Sequence, residues 1–287
     1  MPTVEQHLHA IAHAQDAVPF WVLEKDYALG YVLAGMARVP SLADMLVIKG
    51  GTALRKFYFA DYRFSEDLDF SATMRASDIA AAMQAAAEHA QEWLLEQGSF
   101  AVTVERLTLR DPHPGGQDAF TVRVRFPSHR EALCRLKVEI TYDEEIILPP
   151  VKRPLLLAYP SPPAVNWRCY PLEEIVAEKL RALLQSRARL HARGWGASRV
   201  CRDYYDLWSV LNRGTLNIAV LPDLLERKCA LRQVMFTDHQ DFLAPELRAV
   251  AEVEWERQLR PFVPAAPTAT QVLAELTERF AALSLRI

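Results

Sequence analysis

Cysteine is sparse and scattered in this chain. Cys134, Cys169, Cys201 and Cys229 are the four present, and no two form a C-x-x-C pair. That spacing points to neither a zinc site nor a disulfide framework. Long apolar runs are also missing: no segment approaches the roughly eighteen uninterrupted apolar residues that suggest a membrane span. The opening stretch, MPTVEQHLHAIAHAQDA, has no cationic start and no long apolar core. No signal peptide is therefore expected, and a reducing cytoplasm is the expected location. His9 and His13 stand one helical turn apart but have no third ligand nearby, so they read as exposed rather than metal-binding. No nucleophilic triad and no internal repeat is visible. An excess of positive charge is lacking too, with 33 Lys and Arg against 36 Asp and Glu, for a net charge of −3. The protein is thus no general nucleic-acid coat, and a polyanion partner would need a local basic patch.

What is present is ordinary globular composition over 287 residues, enough for two modest domains. Residues 3–38 read as helix, with Pro19 suited to a first helical turn. Residues 44–49 read as a short buried strand ended by Gly50 and Gly51, and 52–58 as a helix starting on that turn. A second strand is expected over 67–71. An alanine-rich helix follows over about 77–97, with Ser77 as its N-cap. Strands are expected at 101–109, 119–126 and 133–142, with a turn at 111–116 between the first two. Residues 149–163 carry six prolines and read as a crossing or linker. Helices are expected at 171–190, 202–212, 218–230, 236–258 and 268–284. The expected division is a mixed α/β domain over 1–165, then a helical domain over 166–287.

The sharpest motif is RFSEDLDF over 63–70. On a strand, Asp67 and Asp69 project to one face while Leu68 and Phe70 need not. Two adjacent carboxylates repel, which a cation relieves. Oxygen ligands with room for phosphate and water suit Mg²⁺. A lone D-x-D is also met as exposed strand-end aspartates. Upstream, the strand ending in Gly50-Gly51 and entering a helix at Thr52 leaves backbone N–H groups free to cradle a phosphate. A G-G-T turn and a D-x-D together are what nucleotide transfer needs. In LKVEI, residues 136–140, Lys137 and Glu139 share a face. If that strand lies beside 67–71, Glu139 joins the two aspartates; otherwise the pair is a solvated face.

These segments resemble the AbiEii/AbiGii toxin family of the DNA polymerase β-like nucleotidyltransferase superfamily. The resemblance rests on KGGTAL (49–54) and RFSEDLDF, with EKDY (24–27) upstream. PLEEIVAEKLRA (171–182) and RDYYDL (202–207) extend it downstream. It implies a polymerase-β-like mixed sheet with flanking helices, an α/β (α+β) fold, followed by a helical C-terminal domain. It implies transfer of a nucleoside monophosphate from an NTP substrate, with Mg²⁺ as cofactor. Relatives act as toxins of toxin–antitoxin or abortive-infection pairs, and some modify tRNA acceptor ends. RNA, with tRNA favoured, and a cognate antitoxin are therefore the expected partners. Several relatives carry Gly-Ser where this chain has Gly51-Thr52.

The resemblance places Lys179 at the triphosphate and Asp203 in the active site. Independently, Lys179 falls inside the apolar arc set by Leu172, Ile175, Val176, Leu180 and Leu183. A lysine there needs an anion, either a ligand phosphate or a buried partner such as Asp203. Asp203 can also serve its own helix dipole. The candidate catalytic set is thus Asp67, Asp69, Glu139, Lys179 and Asp203, with the first three as metal ligands. Gly50, Gly51, Thr52, Arg63, Ser65 and Lys137 are the nucleotide-binding candidates. Lys25 and Asp26 are expected to brace the N-terminal helix against the site. Between Glu178 and Asp203 the sequence holds Lys179, six arginines and Trp195 but no acid, a candidate RNA or triphosphate patch. A D-x-D glycosyltransferase and a non-catalytic nucleotide-binding regulator are the alternative functions.

Overall fold

The computed structural model describes residues 3–14, 18–109, 115–142, 144–156, 159, 164–263 and 265–283. Two compact units result, one running up to Tyr170 and the other starting at Pro171. The expected division at 165 falls five residues earlier, because 166–169 form a strand of the first unit's sheet.

The first unit contains α1 (Val4–Ala14), α2 (Phe20–Ala37), α3 (Pro40–Met45), β1 (Leu46–Lys49) and α4 (Gly50–Ala53). A π-helical turn, Leu54–Tyr58, extends α4. Then come β2 (Asp67–Ala72), α5 (Ile79–Leu95), β3 (Ala101–Leu107), β4 (Gln117–Arg125), β5 (Cys134–Thr141), β6 (Val151–Pro154) and β7 (Asn166–Cys169). Among the described residues the strands form one mixed sheet in the order β3-β4-β5-β2-β1-β7-β6. β2 runs parallel to β5 and antiparallel to β1. The second unit consists of α6 (Leu172–Arg193), α7 (Val200–Arg213), α8 (Leu221–Ala230), α9 (Pro245–Leu259) and α10 (Ala269–Ala282). The architecture is the mixed sheet with a helical C-terminal part expected from sequence.

Several boundaries differ for local reasons. The expected single N-terminal helix is two elements, α1 and α2, with Pro19 as the N-cap of α2. The strand expected from Asp44 begins at Leu46, because Pro40 opens the short helix α3. The cap of α5 is Asp78 rather than Ser77; its carboxylate accepts the Ala81 N–H at 2.9 Å. Residues 151–154, expected to be linker, form β6, an edge strand ending at Pro154, where a missing N–H costs little. Residues 111–114 of the expected turn and 157, 158 and 160–163 of the expected crossing lie outside the described residues.

Alternation fixes what each face of the sheet does. Leu68, Phe70, Val138, Ile140, Val122 and Val124 point to one side and are all buried. α2 and α5 cover that side, packing on each other, on β5 and on β3. α2 is apolar almost all round, as befits a helix enclosed by the core. Its neighbour α5 presents Ala86, Ala87 and Ala90, all buried, and these small side chains let the two helix backbones approach closely. Gly35 marks the crossing: a Cβ there would lie 2.3 Å from the Ala86 carbonyl oxygen and 2.9 Å from the Ala90 nitrogen. Gly35→Ala forces the helices apart, so the gain in helix propensity cannot offset the overpacking. Denaturant unfolding of this variant is expected to show a loss of about 1–3 kcal/mol, the range for an overpacked core.

Candidate active site

The opposite sheet face carries the acidic residues. Asp67 and Asp69 are both half-buried and alternate with the buried Leu68 and Phe70. In the parallel β2/β5 register, Asp69 stands beside Glu139 and Asp67 beside Lys137. Register neighbours point to the same side of a sheet, so the structure brings the three carboxylates onto adjacent positions of one face. Glu139 is already engaged: its Oε1 accepts from Gln117 Nε2 at 2.7 Å and lies 3.0 Å from Lys137 Nζ.

β1 supplies the glycine turn. Lys49 pairs with Asp69 across the antiparallel register, so the chain leaves β1 directly beside that aspartate. Gly50 has φ of 73°, a left-handed conformation that glycine adopts without strain. A Cβ on Gly50 would come within 3.1 Å of Asp69 Oδ2. At Gly51 the neighbour is Arg63, whose Nη2 would lie 2.5 Å from an added Cβ, with Ser65 Oγ at 3.2 Å. The two glycines therefore let the backbone press against the D-x-D strand and the loop before it. Thr52 locks this contact. Its buried hydroxyl bonds to the Asp67 carbonyl and to Ser65 Oγ, the latter at 2.8 Å. The Thr52 hydroxyl therefore braces the turn, and the backbone N–H groups are what the turn offers a phosphate.

The EKDY segment of α2 clamps both motifs from behind. Lys25 Nζ reaches Glu66 Oε1 at 3.0 Å, immediately before Asp67. Asp26, fully buried, takes Lys56 Nζ at 2.8 Å and Arg55 Nε at 3.5 Å on one oxygen, and the Tyr159 hydroxyl at 2.8 Å on the other. Arg55 also donates to the carbonyls of Ala60 and Tyr62. Burial pushes the Asp26 carboxyl up, yet Lys56 and Arg55 outweigh it and hold the carboxyl below the usual carboxylate range. Lys56 is equally buried; burial pulls its ammonium below the usual lysine range, and the adjacent Asp26 carboxylate opposes that. Lys25 thus grips the residue before the D-x-D strand, and Asp26 the turn that follows the glycines.

Sequence reasoning missed one cluster on the same face. Lys49 forms an ion pair with the buried Glu144. Tyr170 donates to Ser71 Oγ at 2.7 Å, and Ser71 donates to Glu144 Oε2 at 3.1 Å. Ser71 sits two residues beyond Asp69 on β2. Glu144 follows β5 with no periodic pattern around it, so only the fold could place it there.

The helical unit holds the remaining candidates. Lys179 Nζ lies 3.0 Å from Asp203 and 2.6 Å from the fully buried Asp206. This is the buried-partner alternative weighed for Lys179, with Asp206 as an additional partner. A comparable group, Lys228 with Glu174 at 2.7 Å and Glu178 at 3.2 Å, was not foreseen. The expected basic patch is partly neutralised: Arg187 bonds Asp241 at 2.5 Å and Glu246 at 2.9 Å. Arg193 instead lies over the ring of Trp195, which is 67% exposed, and Arg202 over that of Phe262.

The donor set on the sheet suits a hard divalent cation. Asp67 and Asp69 offer carboxylate oxygens on one face beside a turn with no side chain to fill the space. Among the described residues no three His, Cys, Asp or Glu side chains are placed to hold a metal ion together, so Asp67, Asp69 and Glu139 are not gathered as a three-carboxylate ligand set. No helix among the described residues is long and apolar enough to cross a membrane.

A mixed sheet that sets a glycine turn against a D-x-D strand defines the class: a nucleotidyltransferase-like fold. The chain matches the family described as nucleotidyl transferase AbiEii toxin, type IV TA system, over residues 31–283, and it belongs to that family. The match runs beyond the last motif read from sequence, through the whole of α10, and starts after EKDY. No curated protein matches the chain significantly. Membership makes the protein a nucleotidyltransferase toxin of a type IV toxin–antitoxin system, with an NTP substrate and an antitoxin partner. It sets aside the glycosyltransferase reading.

The charge network on α6 gives a prediction for the helical unit. The Glu246 carboxyl is held down to about 2, chiefly by its hydrogen bond with His191, with Arg187 adding to the effect. A carboxyl with a lowered folded pKa stabilises the fold above its ordinary value near 4.5 and loses that contribution as pH falls towards 2. Wild type should therefore melt above Glu246→Gln at neutral pH. Thermal melts are expected to show the gap closing as the buffer is acidified through that window.

Proposed function

We propose that this sheet face transfers a nucleoside monophosphate from an NTP to a hydroxyl of RNA, with the acceptor end of tRNA as the favoured target. Asp67 and Asp69 ligate Mg²⁺, the cation their oxygen donors suit. Bound there, the cation neutralises the triphosphate and stabilises charge on the leaving pyrophosphate. The backbone N–H groups of Gly51 and Thr52 hold phosphate oxygens, while Gly50 keeps the space before Asp69 clear. Arg63 and Ser65 sit against Gly51 and complete the phosphate contacts.

The acceptor oxygen attacks the α-phosphorus, the bond from that phosphorus to the bridging oxygen breaks, and pyrophosphate leaves. Glu139 receives the proton of the attacking hydroxyl, and Lys137 and Gln117 hold its carboxylate in place until then. In the helical unit, Lys179 is assigned to the triphosphate and Asp203 to orienting it. The support is their correspondence to the family's motif and an ammonium held in place by Asp203 and Asp206. The protein acts in the cytoplasm, where NTPs, tRNA and its antitoxin are met.

The observation that carries this reading is the double adjacency of Asp69, to Glu139 through β5 and to Gly50 through β1. The test mixes purified protein with labelled NTPs, tRNA and Mg²⁺. Asp67→Asn and Asp69→Asn should each lower transfer by at least roughly 100-fold, the effect of removing one electrostatic contact to a reacting phosphate. Their unfolding curves should match wild type, since both side chains are partly exposed. Lys179→Ala should raise the KM for NTP. Folded wild type that transfers no nucleotide from any NTP to any RNA would overturn the proposal.

A further inference from the structure

The carboxylate face continues outward from β2 across β5, β4 and β3, and no longer as an acidic surface. On β5, Arg135 and Lys137 share the side of Glu139. On β4, Thr121, Arg123 and Arg125 share it too, with Arg123 beside Arg135 and Thr121 beside Lys137. The intervening Val122, Val124, Leu136 and Val138 are buried on the helix-covered side. Arg135 is exposed and Arg123 and Arg125 are half-exposed, so this side of the outer sheet faces solvent. Glu105 of β3 is the acid next to it, 3.2 Å from Arg123. Arg125 and Arg135 make no ion pair among the described residues. Four cations against two acids, Glu105 and Glu139, stand out in a chain whose net charge is −3.

We propose that this solvent-facing side of β3, β4 and β5 is the docking surface for the acceptor, a single-stranded nucleic acid whose phosphates lie over Arg123, Arg125 and Arg135 and whose reactive end reaches Lys137. The proposal rests on the nucleotidyl-transfer reading, which needs an acceptor hydroxyl beside Glu139. Charge complementarity selects a polyanion, and guanidinium forks match phosphate oxygens in pairs. The stripe also has a direction: it ends at Lys137, the register neighbour of Asp67. A strand laid along it is delivered to the carboxylates, whereas an acidic protein would gain nothing from that endpoint. The surface supplies the local basic patch that a net-negative protein needs, in place of the α6 stretch where Lys179 and Arg187 are already paired.

The test compares full-length wild type with Arg125→Glu/Arg135→Glu, a half-exposed and an exposed position outside the catalytic set. Binding of a fluorescent single-stranded RNA is followed by anisotropy across a salt series without NTP, and NTP binding is measured separately. The double variant should bind RNA at least roughly tenfold more weakly, with the slope of log K against log salt shallower by about one to two, as expected for two lost phosphate contacts. NTP binding and the circular dichroism spectrum should be unchanged. Unaltered RNA affinity and slope would overturn the proposal, as would wild type that binds no RNA. Polyglutamate of equal charge displacing RNA as well as RNA does would assign the surface to an acidic protein and also overturn it. Loss of RNA binding in the variant, beside wild type that transfers nothing, would keep the docking surface and refute the reaction instead.

Discussion

The register of β2 between β1 and β5 is the constraint on which the site depends. Side chains alternate along a strand, so a slip of one residue would bury Asp67 and Asp69 in the core and expose Leu68 and Phe70. The core forbids that slip, because Leu68, Phe70, Val138 and Ile140 fill the space under α2 and α5. Hydrophobic packing on one face thus positions charge on the other. The same register sets Asp69 beside Glu139 and Lys49 beside Asp69, so a single alignment gathers side chains from three strands.

Carboxylates gathered this way repel one another, and the fold opposes that repulsion by gripping the chain around them. Lys25 holds Glu66, Thr52 holds the Asp67 carbonyl, and Asp26 holds Arg55 and Lys56. Cations also accompany each acid beyond the D-x-D pair: Lys137 with Glu139, Lys49 with Glu144, Lys179 with Asp203 and Asp206. Most of the buried charge in this molecule is therefore compensated locally. Arg125 and Arg135, which make no ion pair among the described residues, are left on the outer sheet face.

Much of this was legible in the sequence because it is local. The D-x-D alternation, the glycine turn and the apolar periodicity of α6 each lie within a few residues, where strand and helix periods are strict. The family's motifs likewise lie in short contiguous runs. What escaped was set by pairing between distant segments. β6 and β7 are four residues each, too short for a pattern of their own, and exist because β1 offers a free edge. Glu144 joins the site through Ser71 and Lys49 across the sheet. The basic stretch of α6 looked like a surface patch because its acidic partners, Asp241 and Glu246, come from more than 50 residues away in sequence.

The π-helical turn over Leu54–Tyr58 also affects how the glycine turn is held. A wider turn reduces the angle between successive side chains, so two neighbouring cations, Arg55 and Lys56, converge on the one Asp26 carboxylate. An ordinary α-turn would splay them further apart. The helix beginning at the glycine bend is thus anchored at its far end by a two-pronged electrostatic hinge-pin. Any displacement of the bend would be transmitted to α2 through that pin.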